Sequence, residues 1–192
     1  GLPPSPMQQR AEPPQDSQRV VPPPQALSPP EIPRSTLEPP PIPEQTTKPA
    51  LYACFLTHDW GADERGRSNH ARVSRVNAAL QAEGLTTWFD DQKMRGNIND
   101  QMADGIDSTD VVLVFITSRY LAKVSGRGEH GPNDNSKFEF DYALNLKGVE
   151  RMLPIVMESR CRNPKTWQGV VGGKLGGKMY VDCVEDDTTS FK

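Results

Sequence analysis

The sequence predicts an α/β domain in which a parallel β-sheet is covered by helices on both faces. Two observations lead to this prediction. First, five short β-favouring runs alternate with helical or loop segments along the second part of the chain. Second, the strongest runs are apolar throughout, which is typical of strands buried on both faces of a sheet. Together they favour a single doubly wound domain.

The predicted strands are short runs rich in β-branched, aromatic and other apolar residues. In chain order they are LYACFLT (51–57), TTWFD (86–90), DVVLVFIT (110–117), RMLPIVM (151–157) and MYVDC (179–183). DVVLVFIT is the most strand-like segment of the chain. A Gly-rich connection that contains Trp167 joins the last two strands.

Helical spacing appears between the first three strands. The first helix is predicted over 71–83, with Asn69 as a possible N-cap and Gly84 as its stop. In the second helix, apolar residues recur every four positions from Ile98 to Ile106. The start of this helix follows the loop DDQKMRGNIND.

Residues 118–135 are predicted to form a long polar loop after the third strand. The loop contains GRGEHG (126–131), which formally matches GxGxxG. A dinucleotide-binding turn requires those glycines directly between a strand and a helix, and here they come late and precede Pro132. Elsewhere the histidines and cysteines lack metal-ligand spacing and no GxSxG elbow occurs, so no metal site or serine triad is predicted.

Composition divides the 192-residue chain sharply near position 50. Residues 1–50 hold 16 of the 19 prolines and no aromatic residue. Such a segment has little apolar surface to offset the entropy of ordering, so 1–50 is predicted to be a disordered tail and 51–192 the folded domain. Segments of the tail with PxxP spacing could bind SH3 or WW domains, although a Pro-rich linker without partners would contain the same spacing.

Charge and hydropathy exclude several classes of partner. The formal net charge is −3 and no basic stripe appears, so nucleic acid is not a predicted partner. The longest apolar run, VVLVFI, is far shorter than the roughly 20 residues that span a bilayer. The start of the chain lacks the apolar segment of a secretory signal. Three unpatterned cysteines indicate reduced thiols and a cytoplasmic location.

The third helix, NSKFEFDYALNLKGV (135–149), carries an unusual carboxylate. At about 100° per residue, Glu139 falls inside the apolar arc of the helix. The apolar members of that arc are Phe138, Tyr142, Ala143, Leu146 and Val149. One interpretation is a capping box, in which Ser136 and Glu139 satisfy each other's backbone N–H groups. The other is that Glu139 belongs to a functional site.

Ligands of doubly wound sheets bind at the carboxyl ends of strands, near the point where strand order reverses. Two loops and one helix start therefore become candidates. Thr57-His58-Asp59-Trp60-Gly61 follows the first strand, Met94-Arg95-Gly96 follows the second, and Ser136 to Glu139 open the third helix.

Several motifs in order resemble the TIR (Toll/interleukin-1 receptor) domain family. They are YACFLTH, WFDDQKMRGNI, MADGIDSTDVVLVFIT, NSKFEFDYA, MLPIVME and a W-x-G…LGG…YVD tail. The resemblance covers roughly 51–183. It implies a flavodoxin-like five-stranded parallel sheet.

The resemblance also implies a choice between two activities. Some TIR domains cleave NAD⁺ between nicotinamide and ribose, and others are non-enzymatic adaptors that signal through homotypic TIR–TIR contacts. The enzymes carry a glutamate on the helix after strand three, often as C-x-x-E, which corresponds here to Ser136 and Glu139. NAD⁺ is then the substrate and no further cofactor or metal is implied. A third possibility is a nucleotide sensor that binds without turnover.

Site roles follow from the same resemblance. Glu139 is the expected catalytic residue, beside Ser136. The segment 57–61 lies where family enzymes hold nicotinamide and its ribose. Its residues are Thr57, His58, Asp59, Trp60 and Gly61. The Met94–Gly96 loop occupies a segment that contacts neighbouring subunits and closes over the site. Self-association would switch the enzyme on, in signalling or innate immunity.

Overall fold

The structure is a computed structural model that describes residues 50–89 and 98–185. Five strands pair in parallel to form one sheet of order β2-β1-β3-β4-β5. They are β1 Tyr52–Thr57, β2 Thr87–Trp88, β3 Thr109–Ile116, β4 Met152–Val156 and β5 Val181–Asp182. The predicted α/β class and the parallel five-stranded sheet are confirmed.

Helices cover both faces of the sheet. They are α1 Asn69–Ala82, α2 Ile98–Asp107, α3 Ser118–Val124, α4 Asn135–Lys147 and α5 Gly169–Leu175. Side chains of α1 pack in one core cluster, and those of α2 to α5 pack in the other. In β3, Val112 and Val114 enter one cluster while Leu113 and Phe115 enter the other. This two-sided burial is the reason why the strand is apolar throughout.

The prediction of an irregular polar loop over 118–135 was wrong, because α3 lies inside it. Thr117 caps this helix, and its hydroxyl accepts a hydrogen bond from the backbone N–H of Tyr120. Tyr120, Leu121 and Val124 are buried. These three apolar residues are enough to bury one face of a seven-residue helix, but they are too few to stand out among polar neighbours.

Both helix caps that the sequence suggested, Asn69 as a possible cap and Ser136 as one interpretation, are replaced by a residue one or two positions earlier. Ser68 caps α1, with its hydroxyl accepting from the backbone N–H of Ala71 at 3.2 Å. Asn69 is instead the first residue of the helix. Asp134 caps α4, with its carboxylate accepting from the Ser136 N–H at 3.0 Å. The capping box between Ser136 and Glu139 is therefore excluded.

The buried face of α4 is rotated relative to the predicted arc. Its buried residues recur at i, i+3, i+4 and i+7: Ser136, Glu139, Phe140 and Ala143. Leu146, placed in the apolar arc by the sequence, is 49% exposed. Glu139 remains on the buried side, with only 7% of its surface exposed. Its burial thus has to be explained by tertiary contacts.

Several other predictions can be placed. The three cysteines are all buried. Among the described residues, no helix is both long and apolar enough to cross a membrane. The predicted tail, up to residue 49, and the loop with Met94 and Gly96 lie outside the described residues.

Candidate functional site

A cavity of about 700 Å³ opens at the carboxyl ends of β1 and β3. These strands are neighbours, but the chain leaves β1 for β2 on one side and returns to β3 on the other. The cavity therefore lies where the strand order reverses, as doubly wound sheets predict. Its lining residues come from the loop after β1, from α3, from the segment that leads into α4 and from the first turn or so of α4: His58, Trp60, Lys123, His130, Asn133, Asp134, Asn135, Ser136 and Glu139.

The Glu139 carboxylate is held by a chain of hydroxyl groups. The Thr57 hydroxyl lies 2.5 Å from Glu139 Oε2 and donates to it. The Tyr120 hydroxyl lies 3.1 Å from Thr57 Oγ1. Complete burial raises the pKa of Tyr120 well above its ordinary value, so its hydroxyl keeps its proton. β1, α3 and α4 each contribute one member of this chain.

Two histidines beside the cavity form a hydrogen-bonded pair. His58 Nδ1 is 3.2 Å from the Leu56 carbonyl oxygen, which can only accept, so Nδ1 carries a proton. His58 Nε2 lies 2.9 Å from Nδ1 of His70. Burial lowers the pKa of His58 to about 4. His58 is therefore neutral near pH 7, and its Nε2 accepts from the His70 Nδ1–H.

An aromatic stack stands at the mouth of the cavity. The Trp60 and His70 rings are stacked with centroids 3.9 Å apart, and His70 stacks on Phe89 at 5.0 Å. Trp60 is nevertheless 52% exposed. Because one side of the indole is covered by His70 and much of its surface is open, it can accept a planar ring of a ligand.

Asp59 is buried and organises the loop after β1. Its Oδ2 accepts from the backbone N–H of Gly61 at 3.0 Å, from Arg119 at 3.1 Å and from Asn69 at 3.2 Å. Its Oδ1 lies 3.0 Å from the Lys123 ammonium. Burial alone would raise the pKa of the Asp59 carboxyl, but Lys123, Asn69 and Arg119 together hold it below its ordinary value. Asp59 is thus an ionised support that fastens the loop to α1 and α3.

The end of α3, the start of α4 and the segment between them supply the polar wall of the cavity. Lys123 bridges two carboxylates. Its Nζ lies 3.0 Å from Asp59 Oδ1 and 3.8 Å from Asp134 Oδ2. His130, Asn133 and Asn135 line the same wall. Sequence reasoning missed these residues because it treated 118–135 only as a loop. The available signal was its position, since it follows the carboxyl end of a central strand.

The candidate residues predicted from the sequence fall into three groups. Those that line the cavity are His58, Trp60, Ser136 and Glu139. Those that lie behind the lining and hold it are Thr57, Asp59 and Gly61. Met94 and Gly96 lie outside the described residues. The structure therefore brings the loop after β1 together with the start of α4, as the topology required.

Comparisons with known proteins give a consistent family and fold. The family model of the TIR domain matches residues 55–192. No curated protein matches the chain. Among solved structures, a metazoan TIR-STING receptor from C. gigas in complex with 2′,3′-cGAMP superposes with a TM-score of 0.55 at 14% identity. The match covers 74% of this chain but only 38% of that receptor chain, and at this identity it establishes the fold alone.

Proposed function

The chain belongs to the TIR domain family, and from that premise we propose that its cavity cleaves NAD⁺ between nicotinamide and ribose. One observation carries the proposal. Glu139 is a buried carboxylate that lines the cavity at the reversal of strand order, and its oxygen is oriented by the Thr57 hydroxyl 2.5 Å away. A helix cap no longer accounts for it, because Asp134 caps α4.

The proposed chemistry suits a single carboxylate. The bond between the ribose C1′ and the pyridinium nitrogen breaks, and its electron pair neutralises the positive charge of the ring. Nicotinamide thus leaves as a neutral molecule, without the general acid that glycosidases need for their leaving group. The ribosyl group becomes oxocarbenium-like, and the Glu139 carboxylate stabilises that positive charge. Water then adds at C1′ and loses a proton, or the adenine ring closes a cyclic product.

The cavity offers contacts to the other parts of the substrate. The open side of the Trp60 indole would stack on the nicotinamide ring. Neutral His58 forms part of the same wall, and the Ser136 hydroxyl lies one helical turn before Glu139. Lys123, Asn133 and Asn135 would face the polar remainder of the nucleotide.

Self-association is the proposed switch. TIR domains associate with one another, and a neighbouring copy would complete or order the site. The segment with Met94 and Gly96 is the proposed point of contact. Activity should therefore rise steeply with protein concentration, or on a surface that crowds the domain. The proposed role of this switch is in signalling.

The deciding experiment is nicotinamide release from NAD⁺ at high protein concentration. Wild type should release nicotinamide, and Glu139→Gln should lower the rate by about 10²–10³-fold, the usual cost of one preorganised electrostatic group. Glu150→Gln is the matched control, because it removes an exposed carboxylate just beyond the same helix. Thermal melts of all three proteins show that the loss is chemical.

Other outcomes would contradict the proposal in distinct ways. Saturable NAD⁺ binding without nicotinamide release from wild type would indicate a nucleotide sensor. Neither binding nor release, at concentrations where the domain self-associates, would indicate a scaffold. Equal rates for wild type and Glu139→Gln would remove Glu139 from the chemistry.

A further inference from the structure

We propose that Tyr120 and Thr57 form a hydrogen-bond relay that positions the Glu139 carboxylate and keeps it ionised. Thr57 and Tyr120 are fully buried, and Glu139 is 7% exposed. Thr57 ends β1, Tyr120 lies on α3 and Glu139 on α4. The catalytic consequence rests on the proposed function, whereas the relay itself rests on geometry alone.

The direction of each hydrogen bond follows from the fact that each hydroxyl group has a single proton to donate. The Thr57 hydroxyl donates its single proton to Glu139 Oε2, 2.5 Å away. Thr57 Oγ1 then has only lone pairs left for Tyr120. The Tyr120 hydroxyl, 3.1 Å away, must therefore be the donor in that contact. The order is Tyr120 to Thr57 to Glu139.

Such an arrangement does more than satisfy buried polar groups. Hydrogen bonds in a chain polarise one another, and the effect is stronger in the low dielectric of a protein interior. A hydrogen bond donated to a carboxylate favours its charged form. Tyr120 is hydrogen-bonded to Thr57, which in turn donates to Glu139. Thr57 is thus assigned a positioning role instead of direct contact with substrate, and Tyr120 is a second positioning residue.

A titration tests the relay without any turnover. The protein is labelled with ¹³C at the glutamate side-chain carboxyl, and the Glu139 signal is identified by its absence from Glu139→Gln. In Thr57→Val the Glu139 carboxyl should titrate at a higher pH than in wild type, because the ionised form has lost the hydrogen bond from the Thr57 hydroxyl. Tyr120→Phe should shift it in the same direction by less, and Thr57→Ser should restore the wild-type midpoint.

The chain offers matched controls for the lost hydroxyl groups. Thr109 is also buried, and its hydroxyl donates to the Ile106 carbonyl at the opposite end of the sheet. Tyr142 lies on α4 like Glu139, but its hydroxyl donates to Asp107. Thr109→Val and Tyr142→Phe should therefore leave the Glu139 midpoint unchanged.

Kinetics of nicotinamide release give the second readout. Thr57→Val should lower kcat by about 10²-fold with little change in KM, because the interaction strengthens in the transition state. Tyr120→Phe should lower kcat by about tenfold. In both variants the acid limb of the pH–rate profile should move to higher pH, which a merely structural loss would not cause.

The outcomes separate the relay from the proposed function. If Thr57→Val and Tyr120→Phe leave the Glu139 titration where it is in wild type, the relay is overturned. If the midpoint shifts but wild type releases no nicotinamide, the relay stands and the proposed function fails. If wild type is active and both variants keep its kcat and acid limb, the catalytic role of the relay is overturned. Should Thr57→Val not fold, Tyr120→Phe, which removes one oxygen, decides the question.

Discussion

The carboxyl end of the sheet is open in one place and closed in another. Beyond β1 and β3 lies the cavity of about 700 Å³. Beyond β4 and β5, the buried Arg72 side chain binds the carbonyl groups that follow the strands. Its guanidinium donates to the carbonyl oxygens of Met157 and Cys183, at 2.8 and 2.7 Å, and to the Asp63 carboxylate at 2.9 Å.

Each region contains a buried carboxylate, and the two regions differ in the space beside that carboxylate. Asp63 is paired with the guanidinium groups of Arg72 and Arg67. Burial alone would raise the pKa of the Asp63 carboxyl, but hydrogen bonds from Arg67 and Arg65 hold it below its ordinary value. Glu139 meets a hydroxyl and borders a cavity. A buried acid at a strand end is therefore not in itself a site, because the space beside it decides its use.

Replacing Arg72 should open the closed region and give the largest effect. Arg72→Met removes the hydrogen-bond donor of several buried carbonyl groups. It also removes one of the cations paired with Asp63. Breaking a buried ion pair by removing one partner costs about 3–5 kcal/mol. The free energy of unfolding, measured in urea, should fall by that amount. Under conditions where the variant is folded, nicotinamide release should stay close to wild type.

The control for this variant lies on the same helix. Arg75 is exposed on α1, so Arg75→Met should cost less than about 0.5 kcal/mol, as is usual for surface substitutions. A loss below about 1 kcal/mol for Arg72→Met would contradict the view that this side chain seals the carboxyl ends of β4 and β5.

Lowering the pH should reduce the free energy of unfolding through His58, which lies in the open region. The loss should be somewhat smaller than that caused by replacing Arg72. The pKa of His58 in the folded protein is about 4, against an ordinary value of 6.5, mainly because burial disfavours the charged ring. Between these values the unfolded chain binds more protons than the folded one, so the free energy of unfolding falls as the pH drops from about 6.5 to about 4. The total loss should reach about 3 kcal/mol.

Urea unfolding at several pH values measures this dependence. His70 and Lys123 oppose protonation of His58, and Asp59 favours it, so all three set the balance. His58→Gln should flatten the slope in this window. His130→Gln, which replaces an exposed histidine at the same cavity, should not. An unchanged slope in His58→Gln would show that another group is responsible.

The smallest effect should come from the aromatic stack at the mouth of the cavity. Trp60 is 52% exposed, so Trp60→Ala should change stability little. If the indole stacks on nicotinamide, KM should rise by about tenfold, since such a contact contributes about 0.5–1.5 kcal/mol. Trp60→Phe should recover much of the loss. Unchanged KM in Trp60→Ala would leave Trp60 as a packing partner of His70.

The fold could be predicted because each buried strand leaves an apolar run in the sequence, and such runs recur along the chain. A short run rich in β-branched residues such as VVLVFI is typical of a strand covered on both faces. Helix starts were harder, because neighbouring residues compete for the same role. Ser68 beside Asn69 and Asp134 beside Ser136 are all capable caps, and local sequence does not decide between them.

The site was predictable in its position but not in its contacts. Topology alone brings the loop after β1 to the start of α4. By contrast, the burial of Tyr120 depends on α3, whose seven residues give too short a pattern to recognise. The contact between Thr57 and Glu139 joins residues 82 positions apart, and nothing in the spacing of the sequence encodes it.

The two edges of the sheet have a consequence for handling the protein. In the described part of the chain, β2 and β5 each pair through only two residues. Edge strands this short present few unpaired amide and carbonyl groups, so they are poor templates for the addition of a foreign strand. We therefore expect concentrated preparations to resist edge-to-edge aggregation and fibril growth. Concentration-dependent activity could then be attributed to specific contacts between folded copies.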